Sequence, residues 1–422
     1  MRFRRITAAM LAGLLSAALL SGCRKQTDSA PAPEELQTAQ TGTAGTDAPV
    51  RKPSRGPGPV YGQGWREDAA GVLRTADVVR EMGYGISLGN TFDCFGSRVR
   101  GETVRDCETA WGSPPVTQQM IGGYAAEGFR TLRIPVSWSN MIQADNQLDP
   151  DYLARVHEVA GWALRAGMYV IVNLHRDGSW FDDFSDPSKK NACMAKYTRI
   201  WQQICTEFSG EGAHLLFESY GGAPCWTDLW DPALGADFGR EDAYALLAEI
   251  NQSFVRTVRN SGGGNARRHL LITGYAAEIE TACDPAAEMP SDPQDRCALA
   301  VHFSSPADFC VLEADTDEMP ARDFWGGNND LQQLQAQMDF LNGYCAARKI
   351  PAVITEFGCP LQNKEPDSVR QYLSAVCSEA AARGICPVLW DTSGKFYDRR
   401  QARMTDRLLR ELLFAGAEQT YA

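Results

Sequence analysis

Two hydrophobic patterns alternate along this chain from residue 84 onward. Short, near-continuous apolar runs fall at 84–90, 129–135, 168–174, 214–219, 269–273, 298–303, 352–355 and 386–390. Their length and β-branched character predict buried strands. Stretches with helical apolar spacing lie between and after them, at 116–127, 149–166, 190–208, 244–258, 330–347, 368–383 and 401–414. In the second of these, Asp149-Pro150-Asp151 supplies a start signal, and Val156, Val159 and Ala160 face inward. Strands without polar alternation belong to a parallel sheet covered on its outer face. Eight such strand–helix units predict an α/β fold, a single (β/α)8 TIM barrel.

The first 63 residues do not fit that rhythm. Arg2, Arg4 and Arg5 precede an apolar stretch, Ile6 to Leu20, too short to span a bilayer comfortably. Leu20-Ser21-Gly22-Cys23 closes it with small residues before a cysteine, the pattern of a bacterial lipoprotein cleavage site. Residues 1–23 are thus expected to be a lipoprotein signal peptide with Cys23 lipidated. Residues 24–63, rich in Thr, Ala, Pro, Gly and Gln, read as a flexible stalk. The barrel is expected over 64–422, starting near Trp65. The expected address is an exported, membrane-tethered monomer that touches the membrane through lipid alone.

Composition narrows the partners. The 422-residue chain has 44% hydrophobic residues and a net charge of −12. Such a surface repels phosphate backbones, so nucleic acid is not expected as a partner. There are thirteen cysteines; setting Cys23 aside leaves an even number. Cys94 with Cys107 and Cys283 with Cys297 flank loops and are candidate staples. Cys205, Cys377 and Cys386 fit buried thiols. No cysteine–histidine spacing suits zinc, so neither a metal nor a cofactor is expected.

The candidate chemistry sits at strand ends, where side chains of a parallel barrel face the active-site mouth. Glu356 ends the 352–355 run, followed by Phe357-Gly358. Other ends carry Arg133, His175, His302 and Trp390. Each alone has an ordinary structural reading, Arg133 as a strand-end ion pair and either histidine as a satisfied core residue. Together and in order they say more. Gly89-Asn90-Thr91-Phe92-Asp93, the 108–112 segment Glu-Thr-Ala-Trp-Gly, the 128–138 segment from Gly128 through Arg133 to Trp138, Val172 to His175, Val301-His302, Glu356 to Gly358, and Trp390-Asp391 resemble the motifs of glycoside hydrolase family 5. The likeness covers roughly residues 80 to 400 and is greatest to the bacterial endoglucanase/xyloglucanase-like branch.

That resemblance implies a retaining hydrolase of β-linked polysaccharide or oligosaccharide. Such a mechanism needs two carboxyl groups about 5 Å apart, one nucleophile and one acid/base. By resemblance Glu356 is the nucleophile, Arg133 keeps it ionised, His175 and His302 hydrogen-bond around the cleaved sugar, and Trp390 is a stacking platform. Trp138 and Tyr275 are further substrate-binding candidates. Phe95, Trp111, Trp180, Trp226 and Trp230 would extend an aromatic groove.

One stretch breaks the pattern. The family's fourth strand ends Phe-Glu-x-x-Asn-Glu-Pro, whose last Glu is the acid/base. This chain reads Phe217-Glu218-Ser219-Tyr220-Gly221-Gly222-Ala223-Pro224. Gly221 stands at the Asn position and Gly222 at the acid/base position. Arg176 and Ser304 also depart from the family's His and Tyr. The expectation is a carbohydrate-binding or strongly impaired homologue. The alternative is an active retaining hydrolase with a relocated acid, for which Asp177, Asp228, Glu278 and Glu280 are candidates.

Overall fold

The computed structural model of the protein describes residues 73–96, 98–99, 102–177, 179–222, 224–226, 239–317, 319–392 and 394–415. Cys23, Trp65, Asp228 and Trp230 lie outside the described residues. Eight parallel strands close into a barrel in chain order. They are β1 (Gly85–Leu88), β2 (Thr131–Ile134), β3 (Tyr169–Asn173), β4 (Leu215–Glu218), β5 (Leu270–Glu278), β6 (Cys297–Phe303), β7 (Ala352–Phe357) and β8 (Cys386–Asp391). All eight expected strands are present.

Alternation along each strand sorts the core into two. Leu132, Ile134, Phe217, Leu299, Val301, Ile354 and Leu389 pack outward under the helices. Ile171, Leu216, Leu271, Ala298, Ala300, Val353 and Val388 fill the barrel interior. The helix Thr75–Glu81 was not evident from sequence. It sets Val78, Val79 and the following Met82 against that inner cluster, closing one end. Apolar side chains thus fill the lower barrel, leaving polar side chains at the C-terminal end, where the site is built.

The C-terminal region differs from expectation. A single helix over 401–414 is replaced by a two-residue strand, Arg403–Met404, paired with Tyr397–Asp398, and a shorter helix, Arg407–Ala415. Ala402 takes a left-handed φ of 54° to turn the hairpin, and the Asp406 side chain accepts from Leu409 N–H at the helix start. The expected staples are absent too: all twelve described cysteines are thiols. Cys297 Sγ lies 3.6 Å from Asp292 Oδ2 instead of meeting Cys283. Burial, with Cys345 as the nearby thiol, pushes Cys283 up to about 12. Cys94 and Cys107 are both fully buried but unbonded. Cys205, Cys377 and Cys386 are buried, as expected.

Candidate active site

The even-numbered strands furnish the floor of the site. Their outward neighbours pack under the helices, so Arg133 on β2, Glu218 on β4, His302 on β6 and Trp390 on β8 project inward. Arg133 Nη1 donates to Glu356 Oε1 at 2.6 Å, while its Nε and Nη2 donate to the two Glu218 oxygens at 2.7 and 3.2 Å. Asn173 Nδ2 also donates to Glu218, at 2.8 Å. One guanidinium thus joins two carboxylates in a fixed fork. Arg133 and Glu218 are completely buried, whereas the Glu356 side chain keeps 19% of its surface open. The open carboxylate is therefore the one a substrate reaches.

Burial pushes the Glu356 carboxyl above its ordinary range, and the Arg133 charge and hydrogen bond pull against that rise. Arg133 acts in the expected direction, but burial outweighs it. For Arg133 itself burial disfavours the charge, yet Glu218 and Glu356 more than restore it. His302 is neutral: burial and then Arg133 push it down to about 3. Its Nε2 stands 3.6 Å from Glu356 Oε1, too far for a hydrogen bond. Burial, then Arg133, His302 and Arg176, likewise hold His175 well below its ordinary value. His175 Nδ1 and His302 Nε2 are buried with no protein partner. Such nitrogens are ready to bond a ligand's hydroxyls.

Trp390 lies beside them, half-buried, with its ring 5.7 Å from the His175 ring at an interplanar angle of 15°. Gly89 explains its seat: a Cβ there would stand 2.6 Å from Asp391 O and 2.9 Å from Trp390 Cζ2. Two positioning residues escaped the sequence reading. Asn173 lies within the Val172–His175 motif but carried no role. Arg399 sits in a polar turn with no local signal, yet its guanidinium donates to Gly89 O, Thr91 Oγ1, Ser113 Oγ and Asp391 O. It ties the loop after β1 to the end of β8 beneath Trp390.

Two substrate-binding candidates are part of the packing. Trp138 is fully buried and donates Nε1–H to Asn173 O at 2.8 Å. Tyr275 is 1% exposed and its hydroxyl accepts from Trp226 N–H. Neither presents a face to a ligand, and Trp226 is buried as well. Phe95 and Trp111 make an edge contact at 5.2 Å and stay partly open, with the Arg176 guanidinium 5.5 Å from the Phe95 ring. Trp180 is also partly open. The aromatic face available is therefore Trp390, Phe95, Trp111 and Trp180.

The end of β4 is closed rather than merely bare. A Cβ at Gly221 would lie 2.0 Å from Asn173 Nδ2, 2.4 Å from Arg133 Nη2 and 2.7 Å from His175 Nδ1. At Gly222 it would meet backbone, 2.9 Å from Arg176 Cα and 3.0 Å from its N. Glu218 is locked by Arg133 and Asn173. Asp177 is buried and accepts from Ser139 N–H, Ser139 Oγ–H and Trp180 Nε1–H. Glu280 is exposed on a short helix and accepts from Gln337. Glu278 ends β5, half-buried.

A closed parallel barrel places an accessible glutamate at the end of β7, braced by a buried arginine from β2, among polar and aromatic groups at its mouth. Residues 92–396 match the sequence model of the cellulase family, glycosyl hydrolase family 5. An endoglucanase B from Ruminococcus albus is 33% identical over 331 residues, 77% of this chain and 74% of that one. A broad-specificity endoglucanase from an uncultured bovine rumen ciliate superimposes with a TM-score of 0.73 at 32% identity, covering 82% of this chain and 98% of that one. A lichenase variant from Caldicellulosiruptor sp. F32, in complex with cellotetraose, does so with a TM-score of 0.74 at 29% identity, covering 81% and 94%. This chain belongs to glycosyl hydrolase family 5.

Proposed function

We propose that this chain binds β-linked glucan in the cleft around Glu356, and that β4 supplies no acid there for cleaving unactivated polysaccharide. The supporting observation is the pair of neutral, buried, unpartnered histidine nitrogens flanking a partly open Glu356, beside the open face of Trp390. Uncharged hydrogen-bonding nitrogens beside an aromatic plane suit a sugar ring, with hydroxyls at its rim and C–H bonds on its face. The cellotetraose complex of the lichenase relative supports the same ligand class. With glycine at 222, no carboxyl on β4 stands where this family protonates the departing oxygen, a contribution typically worth about 10² to 10⁴ in rate.

The test pairs calorimetric binding to β-glucan with hydrolysis of an aryl β-cellobioside bearing a good leaving group. Trp390→Ala should weaken glucan binding by about 1–3 kcal/mol, the scale of an aromatic anchor lost from a binding hot spot. Unchanged affinity, against measurable wild-type binding, counts against the reading. The same proposal places the protein outside the cytoplasm on a lipidated Cys23. Cys23→Ala should then move it from the membrane pellet to the soluble fraction of a bacterial host, and no redistribution would refute the anchor.

A further inference from the structure

β5 does not stop where its apolar run stops. Leu270 to Thr273 pair in register with Cys297 to Ala300; the register then slips, and Glu278 pairs with His302. His302 in turn pairs with Glu356. Residues paired across a parallel sheet project to the same face. Glu278, His302 and Glu356 therefore stand at one level on three consecutive strands. Two strand spacings separate the outer pair, about 10 Å between Cα positions.

The slip is held by unusual backbone. Ala276 and Ala277 both adopt left-handed φ, 51° and 54°, where non-glycine residues are rare. Such strain gathers where surrounding structure imposes a functional geometry. Here the imposing contact is specific: Ala276 N–H donates to Pro224 O at 2.7 Å, so the bulge is fastened to the loop carrying Gly221 and Gly222. Without the bulge, Glu278 would lose its register with His302.

The carboxyl itself is free to react. Among the described residues no side chain or backbone donor is hydrogen-bonded to the Glu278 carboxylate, and no cation pairs with it. The other carboxyls considered are engaged: Glu218 by Arg133 and Asn173, Asp177 by Ser139 and Trp180, Glu280 by Gln337. Burial, and then the neighbouring Glu280 charge, push Glu278 up to about 7. That is where a group serving as acid and then base at neutral pH works best.

We propose that Glu278 on β5 takes the acid/base role that β4 lacks. This rests on the reading of Glu356 as the nucleophile in a β-glucan cleft. In the first step a Glu356 oxygen bonds to the anomeric carbon. The glycosidic C–O bond breaks, and its electron pair goes to the leaving oxygen, which takes the proton of Glu278. In the second step water attacks the anomeric carbon, Glu278 accepts a proton from that water, and the ester bond returns its electron pair to Glu356.

The experiment compares wild type, Glu278→Gln and Glu278→Asp in the full chain on soluble mixed-linkage β-glucan and on 2,4-dinitrophenyl β-cellobioside. Glu278→Gln should cut β-glucan turnover by about 10²-fold or more, leave β-glucan affinity unchanged, and leave the dinitrophenolate burst near wild type. Azide should then release the trapped sugar as a glycosyl azide, and Glu278→Asp should retain part of the β-glucan activity. Equal β-glucan turnover in wild type and Glu278→Gln overturns the proposal. So does a wild type that binds β-glucan and gives the burst but never turns β-glucan over; that result spares the cleft reading. Absence of both binding and burst overturns the cleft reading as well.

Discussion

The two sides of this cleft have been treated differently by the same barrel. On the β2–β7 side the carboxylate is braced, with Arg133 bridging Glu356 and Glu218 at 2.6 and 2.7 Å. On the β4 side the two positions that would carry an amide and a carboxyl are glycines. The neighbours occupy that space: Asn173, Arg133 and His175 stand where a Gly221 side chain would begin. The comparison teaches that glycine at these positions does not leave an empty gap. Close packing fills the volume with the Arg133 network and its neighbours.

The strongest way to break the intact side is at its centre. Arg133→Ala leaves Glu218 and Glu356 buried without their shared cation. Stranding buried charges this way costs about 3–5 kcal/mol, so the unfolding midpoint in denaturant should fall sharply. A loss within 1 kcal/mol, against the larger cost expected from a buried network, would show that the network is not a structural unit.

The reverse operation sharpens the β4 side. Gly221→Asn with Gly222→Glu writes the family's residues back, yet this change should not raise polysaccharide hydrolysis above wild type. Each new Cβ meets atoms inside 3.0 Å, several of them backbone or the Arg133 fork. Overpacking of that kind costs about 1–3 kcal/mol, visible as a lower midpoint in thermal or chemical unfolding. A large gain in β-glucan cleavage at wild-type stability would show that the neighbours yield freely and that the closure is incidental.

A smaller effect compares the sides through pH. Glu356 must be ionised to attack, and its pKa is raised, by burial first and against Arg133. Turnover should therefore fall as pH drops through that raised value. Glu278, in register with His302 on β6 and through it with Glu356 on β7, must be protonated to donate, and burial and then the Glu280 charge push it up to about 7. Turnover of β-glucan should fall as pH rises through that point. His302, neutral above about 3, adds no limb in this range. Glu278→Gln should erase the alkaline limb and keep the acid one; an alkaline limb that persists in that variant assigns it to another group.

How much of this was written in the order of residues follows from the range of each interaction. Strand and helix periods are local, so all eight strands and the barrel could be read directly, and the motifs placed Glu356, Arg133, His175, His302 and Trp390 at strand ends. Glycine at 221 and 222 was equally legible, since identity needs no coordinates. Burial direction at loop ends was not: Trp138 and Tyr275 look like binding aromatics until neighbours from β3 and the loop after β4 enclose them. Arg399 was invisible because its acceptors lie up to 310 positions away in sequence. The same holds for the choice among spare carboxyls. Asp177, Glu278 and Glu280 are alike in the chain, and only the fold engages two of them with donors and leaves the third on a strained bulge in register with His302. Sequence fixes what repeats or is covalently near; which groups share a cleft, and which have lost their room, depends on contacts the chain makes only when the barrel closes.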